Sequence, residues 1–330
     1  MRKYLTLLFE HKTLDRAQAR EILTGIGHGS YNEHEITAFM TVYLMRSITI
    51  PELQGFRDAL LDLCVPVDLG GRRVLDIVGT GGDGKNTFNI STLACFIVAG
   101  AGQKVAKHGN YGASSISGAS NVMERMGYRF KSDSDALNRE LDAAGICFLH
   151  APMFHPALKM VGPIRRNLGM RTFYNMLGPM VNPAKPDYQL VGVYSLEMAR
   201  VYNYLLQLDD KPFTIIHSLD GYDEISLTDD TKVITREGEK VISPERLGKR
   251  RVFAEDLHGG DTPEAAAAIF RNILEGRGSW AQNAVVLANA AMALHSTGSH
   301  GSYDDAYAAA VDSLDSGRAI GALETLIAIQ

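Results

Sequence analysis

The chain has 330 residues, 45% of them hydrophobic, with 33 Lys and Arg against 38 Asp and Glu and a formal net charge of −5. That length supports a sizeable core and about two domains. The charge balance, with no long basic run, speaks against nucleic acid as a partner. No segment approaches the roughly twenty apolar residues of a membrane span. Glu10, His11 and Lys12 follow the N-terminus too closely for the apolar run of a signal peptide, so a soluble, cytoplasmic protein is expected. Cys64, Cys95 and Cys147 lie in apolar surroundings with no metal-like spacing and read as buried free thiols.

Residues 1–66 read as an all-helical domain. Asp15 with Gln18, Asn32 with Glu35, and Thr49 with Glu52 around Pro51 are three capping-box starts, each leading into helix formers with apolar residues at helical spacing. Nothing here carries phosphate or metal chemistry. The apolar faces are expected to pack on a partner subunit; packing only on the rest of the chain is the alternative.

From residue 67 the pattern alternates strand and helix, which predicts an α/β domain with a mostly parallel central sheet. Val74–Val78 reads as a buried strand. The run Gly79-Thr80-Gly81-Gly82-Asp83-Gly84 is too glycine-rich for helix or strand. Asn89, Ser91 and Thr92 then read as caps of an apolar helix, Leu93–Ala101. Lys104–Lys107 reads as the next strand and brings Lys107, His108 and Asn110 to its carboxyl end. Glycine-freed amides, hydroxyls at a helix N-terminus and a lysine suit a bound phosphate. Gly79, Gly81 and Gly84 satisfy a bare dinucleotide pattern, but the second strand ends in Lys107-His108 and not in an acid. Gly84-Lys85 approaches a Walker loop, but Asn86 replaces the hydroxyl residue. Ser114–Gly118 is a second hydroxyl-and-glycine run, read as another anion site or a flap, with an ordinary capped loop as the alternative.

His155-Pro156 opens a helix with apolar positions Leu158, Val161 and Leu168, and Arg165 and Arg166 lie inside it. Arginine offers a planar fork for a carboxylate; composition alone fits a solvated helix arginine as well. Asn175–Pro186 reads as a hinge between domains. Strands are expected at Gln189–Tyr194 and Phe213–His217 around the helix Leu196–Leu208, and a hairpin pairs Thr231–Thr235 with Lys240–Ser243. Between them the turn Asp220–Glu224 sets Asp223 beside Glu224. Adjacent hard oxygens suit Mg²⁺ bridging substrate phosphates; a solvent-exposed acidic turn is the alternative. Ala265–Leu274, Gln282–Leu294 and Tyr303–Ser313 read as helices.

The joint pattern GTGGDG…NTFNIST…KHGN, with His155-Pro156-Ala157, Arg165, Arg171–Pro179, Asn182-Pro183-Ala184 and Gly221–Ser226, resembles the anthranilate phosphoribosyltransferase family over nearly the whole chain. One departure is Tyr111, where family members usually carry arginine. The resemblance implies transfer of the 5-phosphoribosyl group from phosphoribosyl pyrophosphate to the amine of anthranilate in tryptophan biosynthesis. It implies domains at 1–66, joined by about 163–186, and at 67–162 with 187–330, and a homodimer through the helical domain. It also implies a donor site on Gly79, Gly82, Asp83 and Thr87, on Asn89, Ile90, Ser91 and Thr92, on Lys107, His108, Gly109 and Asn110, and on Ser114, Ser115 and Ala119. Gly79, Asn110, His155 and Arg165 are implied for anthranilate, and Ser91, Asp223 and Glu224 for Mg²⁺. His108 is a candidate orienting group, and no protein nucleophile is expected. A pyrimidine nucleoside phosphorylase, with a related loop, is the alternative enzyme; the KHGN block and Asp223-Glu224 argue against it. A non-catalytic nucleic-acid-binding relative is disfavoured by the charge.

Overall fold

The computed structural model describes residues 1–112, 116–247 and 250–330. Four helices open the chain: α1 (Arg2–Phe9), α2 (Arg16–Gly27), α3 (Glu33–Met45) and α4 (Ile50–Leu63). An alternating stretch follows, with β1 (Leu75–Gly79), α5 (Ile90–Gly100), β2 (Val105–Gly109), α6 (Ala119–Arg125), α7 (Ser134–Ala144) and β3 (Ile146–His150). The helices α8 (Ala151–Phe154), α9 (Ala157–Leu168) and α10 (Tyr174–Leu177) interrupt it. The alternation resumes with β4 (Tyr188–Gly192), α11 (Leu196–Leu206), β5 (Phe213–Ser218), β6 (Thr231–Ile234) and β7 (Glu239–Ile242). The chain then runs through α12 (Pro263–Leu274), α13 (Trp280–Ser296), α14 (Tyr303–Asp315) and α15 (Arg318–Ala328). Among the described residues no helix is long and apolar enough to cross a membrane.

Residues 1–67 and 151–185 form one compact unit, and residues 68–150 and 186–330 a second. In the helical unit the three expected capping boxes are all formed, at Asp15, Asn32 and Thr49. Each satisfies backbone donors that a helix end otherwise leaves open. Its core is an aromatic cluster in which Phe39, Tyr43 and Phe56 surround Phe173, with the Phe56 and Phe173 rings stacked at 4.6 Å. Glu52 is fully buried there and is held by Arg46, the Tyr43 hydroxyl and the Leu14 amide. The unit takes the chain back at Ala151, ahead of the expected return at 163–186, because α8 follows β3 with no intervening residue. Helix α9 buries Ala157, Val161 and Ile164; of the apolar positions read from the sequence, Val161 is buried and Leu158 and Leu168 are half-buried. The stretch expected to be a hinge begins with α10 and a 3₁₀ turn at Gly178–Met180.

The second unit holds a seven-stranded sheet in the order β3-β2-β1-β4-β5-β6-β7. The first five strands pair in parallel, and β6 and β7 pair antiparallel as the expected hairpin. Helix α5 is apolar all round, with Leu93–Val98 fully buried against the sheet, α13 and α15. Successive strands run outward on one side as β1, β2, β3 and on the other as β4, β5. The order therefore reverses between β1 and β4, the kind of switch point outside whose carboxyl ends open α/β sheets form their ligand-binding crevice.

Candidate active site

Glycines at the β1–β4 crevice decide its shape. Gly79 and Gly192 are register partners at the ends of β1 and β4. A Cβ on Gly79 would strike the Asp223 carboxylate, and one on Gly192 would overlap the Asp223 carbonyl. Their bare backbones let the 220–226 turn descend onto the sheet. The Thr80 amide then donates to the Gly192 carbonyl at 2.9 Å, and the Gly81 amide to Asp223 Oδ2 at 2.7 Å. Gly81, Gly82 and Gly84 have φ of +63°, +79° and +74°, a region side chains resist, so the loop requires glycine at these three places.

The turn itself is clamped from below. Asn289, fully buried in α13, accepts from the Ile225 amide at 3.0 Å and donates to the Ile225 carbonyl at 2.9 Å. Ser218 Oγ donates to the Glu224 carbonyl at 2.7 Å. Asp223 is buried, which overturns the exposed-acidic-turn alternative. The exposed pair is Asp229-Asp230, which Arg251 bridges at 2.8 Å to each.

Three carboxyls meet here. Burial pushes Asp223 up to about 7, and the charge of Asp83 adds to the shift. Asp83 is raised by burial as well, against the Lys85 amide, and its side chain hydrogen-bonds to Asp223. Burial and then the Asp223 charge raise Glu224 well above the usual carboxylate range, while Lys107 and the Ser91 amide oppose that rise. Neighbouring carboxyls with little water disfavour each other's charged form. Lys107 is 2% exposed and donates to the Ile77 carbonyl at 2.7 Å. Lys85 lies over the Tyr222 ring at 4.5 Å, so the Walker-like lysine is turned toward an aromatic face. Among the described residues no three His, Cys, Asp or Glu side chains form a metal cage of their own. A divalent ion held by hard oxygens would need diphosphate and water to complete its shell.

Beside this cluster lies the start of α5. Asn89 was expected as a side-chain cap, but its amide is taken by the Ser117 carbonyl at 2.9 Å, and α5 has no side-chain cap. Ile90 and Thr92 are each 1% exposed and face inward, so their backbone is what the helix end presents. Thr80 Oγ1 and Ser117 Oγ are buried hydroxyls without a partner among the described residues, at the glycine loop and at the residue that Asn89 holds. Unpaired buried hydroxyls at a glycine cradle fit a ligand with many acceptor oxygens. His108 lies next to the carboxyl end of β2 as expected; it is 4% exposed, and its backbone amide donates to the buried Asp76. Gly109 leaves room for the Phe148 ring, and Thr87 bridges to His258. The exposed turn at Asn110 is tied to α6 at three points. The Ser120 amide donates to the Asn110 carbonyl, Asn121 Oδ1 accepts from the Gly112 and Gly118 amides, and the Tyr111 hydroxyl donates to Glu124 at 2.8 Å. The Tyr111 ring also sits edge-on to His150 at 4.9 Å. Ala119 opens α6; Ser114 and Ser115 lie outside the described residues.

In the helical unit, Arg165 is half-buried in the last turn of α9. It makes no ion pair among the described residues; Nη2 donates to Asn175 Oδ1 at 3.3 Å, and the guanidinium lies 5.5 Å from the centre of the Tyr174 ring. Burial lowers its pKa. His155 is 1% exposed, with backbone hydrogen bonds to Val181 and Leu60, and burial pushes it down to about 4. It is a neutral interior group that shapes the helical unit. Sequence reasoning passed over Gly192 and Asn289. The first carries a faint signal, a glycine closing a buried strand; the second, one amide in an alanine-rich helix, carries none.

Residues 2–64 match the helical bundle domain of a glycosyl transferase family, and residues 71–320 its a/b domain. An anthranilate phosphoribosyltransferase of Flavobacterium johnsoniae is 56% identical over 326 residues, covering 99% of this chain and 98% of that protein. One of Bacteroides thetaiotaomicron is 54% identical over 327 residues, covering 99% of this chain and 98% of that protein. Among solved structures, the anthranilate phosphoribosyltransferase of Thermus thermophilus is similar at a TM-score of 0.92 and 31% identity, covering 98% of each chain. The enzyme of Saccharomyces cerevisiae in complex with PRPP and Mg gives 0.91 and 27%, covering 99% of this chain and 96% of that one.

Proposed function

The chain belongs to the anthranilate phosphoribosyltransferase family, and from that membership we propose that it transfers the 5-phosphoribosyl group of phosphoribosyl pyrophosphate to the amine of anthranilate. The products are N-(5-phosphoribosyl)anthranilate and pyrophosphate, in tryptophan biosynthesis. The observation that carries this reading is the carboxyl cluster of Asp83, Asp223 and Glu224 beside the Gly79–Gly84 loop at the β1–β4 crevice. Such a site takes a polyanion together with a divalent cation.

The chemistry follows from the donor. The bond from the ribose anomeric carbon to the diphosphate oxygen breaks, the amine nitrogen bonds to that carbon, and the nitrogen sheds a proton. The carbon passes through oxocarbenium character, so no protein nucleophile is required. The amides of the glycine loop and of the α5 N-terminus hold the donor's phosphates. Magnesium, when bound, neutralises the leaving diphosphate as a Lewis acid. Ser91, Asp223 and Glu224 would hold it: the donors are hard oxygens, and the buried carboxyls face a shortage of opposing charge that Lys107 alone does not meet. Arg165 receives the acceptor's carboxylate. Orientation supplies most of the rate, on the order of 7–11 kcal/mol for well-placed reactants.

The enzyme works in the cytoplasm as a homodimer joined through the helical unit, whose Phe9 and Met45 are 62% and 84% exposed and support that reading. Incubation with phosphoribosyl pyrophosphate, Mg²⁺ and anthranilate tests the function by the loss of anthranilate fluorescence. A constant signal at ample enzyme overturns it.

A further inference from the structure

We propose that residues Leu257–Gly260 form a strap that fixes the position of the donor loop, with Asn86 and Gly259 as positioning residues. The proposal rests on the reading above, in which the loop after β1 receives the donor. That loop has little regular structure of its own. Its first half is fixed to the sheet and the acidic turn through Thr80 and Gly81. Its second half, Gly84–Phe88, is fixed by the strap.

The attachment is dense. The Phe88 amide donates to the Leu257 carbonyl at 3.1 Å, and the Gly259 amide to the Asn86 carbonyl at 2.7 Å. Asn86 Nδ2 donates to the Gly260 carbonyl at 2.9 Å, and Thr87 forms an isolated antiparallel bridge with His258. The Gly260 amide donates to His258 Nδ1 at 3.2 Å, and His258 Nε2 lies 3.4 Å from Asp261. Asn86 Nδ2 also lies 3.3 Å from His258 Nε2. Gly259 permits the contact: a Cβ there would strike the Thr87 carbonyl and approach the Phe88 amide to 2.9 Å.

The strap is rigid enough to act as a reference. Leu257 anchors it in the core at 1% exposure. Just beyond Gly260, Thr262 caps α12 by accepting from the Ala265 amide at 3.1 Å. The tether lies immediately before Asn89 and the α5 N-terminus, so a shift of the loop moves the amides that meet the donor's phosphates. A displacement on the order of 1 Å in such a cradle costs up to about a hundredfold in rate. This also gives Asn86 a role: the residue that spoils the Walker pattern faces the strap and not the phosphates.

The test uses the full chain with Asn86→Ala and Gly259→Ala. Each is expected to raise the KM for phosphoribosyl pyrophosphate roughly tenfold, equivalent to about 1.4 kcal/mol, and to leave the anthranilate KM within about twofold. Amide hydrogen exchange should accelerate at residues 84–88 and stay unchanged in β1. If Gly259→Ala does not fold, Asn86→Ala, which deletes one amide at a partly exposed site, carries the test. Activity lowered only in proportion to the folded fraction, with both KM values unchanged, would overturn the proposal. If the wild-type chain does not turn over the two substrates, the functional reading falls separately, and unchanged exchange at 84–88 in the variants would still overturn the strap.

Discussion

On the proposed function, replacing Arg165 with alanine should separate acceptor binding from everything else the protein does. The guanidinium is half-buried, has no carboxylate partner among the described residues, and keeps one long hydrogen bond to Asn175. Its desolvation shows in a lowered pKa. A carboxylate arriving there finds a cation already stripped of much of its water, and a charge-assisted hydrogen bond of that kind contributes about 1.5–3 kcal/mol. Arg165→Ala should therefore raise the anthranilate KM by roughly 10- to 150-fold and leave the phosphoribosyl pyrophosphate KM within about twofold. Because no ion pair is lost, the melting temperature should hold or rise slightly. Arg165→Lys should recover only part of the loss, since an ammonium lacks the planar fork. Steady-state anthranilate fluorescence at varied concentrations of each substrate, with a thermal melt, reads all of this. Equal shifts in both KM values, or a melt lowered by several degrees, would refute the assignment.

Three further outcomes follow from the same geometry. Gly192→Ala places a methyl on the Asp223 carbonyl; it should cost about 1–3 kcal/mol of stability or more and abolish turnover, and a variant with normal kinetics would contradict the account of the crevice. Asn289→Ala leaves the Ile225 amide and carbonyl buried and unpaired, about 1–3 kcal/mol for each group, and should lower the urea midpoint and raise the Mg²⁺ concentration needed for half-maximal rate. His155 is held neutral with its pKa near 4 against 6.5 when unfolded. Its contribution is intact above pH 6.5 and is lost as pH falls toward 4, because only the unfolded chain takes up the proton in that window, to a limit of about 3 kcal/mol. Urea midpoints across that range should fall less in His155→Gln than in the wild type.

What was legible in the sequence was local. The three capping boxes lie within four-residue windows, and each formed as read. The glycine run and the Asp223-Glu224 pair announce their chemistry in consecutive residues. What failed depended on partners distant in the chain. Asn89 has the composition of a cap, but its side chain is oriented to donate to the Ser117 carbonyl, 28 residues on, and its oxygen accepts from no amide of α5. Strand alternation brought His108 to the right end of the sheet without revealing that it would be buried beside Asp76. Asn289 reaches across 64 residues to Ile225, and Asn86 across 174 to Gly260, and no periodicity or composition encodes either pairing.

The site's electrostatics depend on those unencoded pairings. Two adjacent carboxylates in a turn would ordinarily swing into water, where each is best solvated. Here the Asn289 amide fixes the backbone after them, Ser218 fixes the Glu224 carbonyl, and two glycines remove the side chains that would keep Asp223 off the sheet. Asp83 is brought against Asp223 by the left-handed glycines of the loop, so a third carboxyl enters the same low-dielectric space. Burial first, and then the nearness of the carboxyls to one another, disfavours their charged forms, and Lys107 opposes this for Glu224. A protein retains such an arrangement where binding supplies the missing positive charge. On the proposed function, a divalent cation arriving with a diphosphate brings that charge, and the two buried hydroxyls of Thr80 and Ser117, unpaired among the described residues, are available to the oxygens that come with it. On the proposed function, the burial that disfavours charge in this cluster and the attraction it would exert on a metal-bound polyanion have one physical origin.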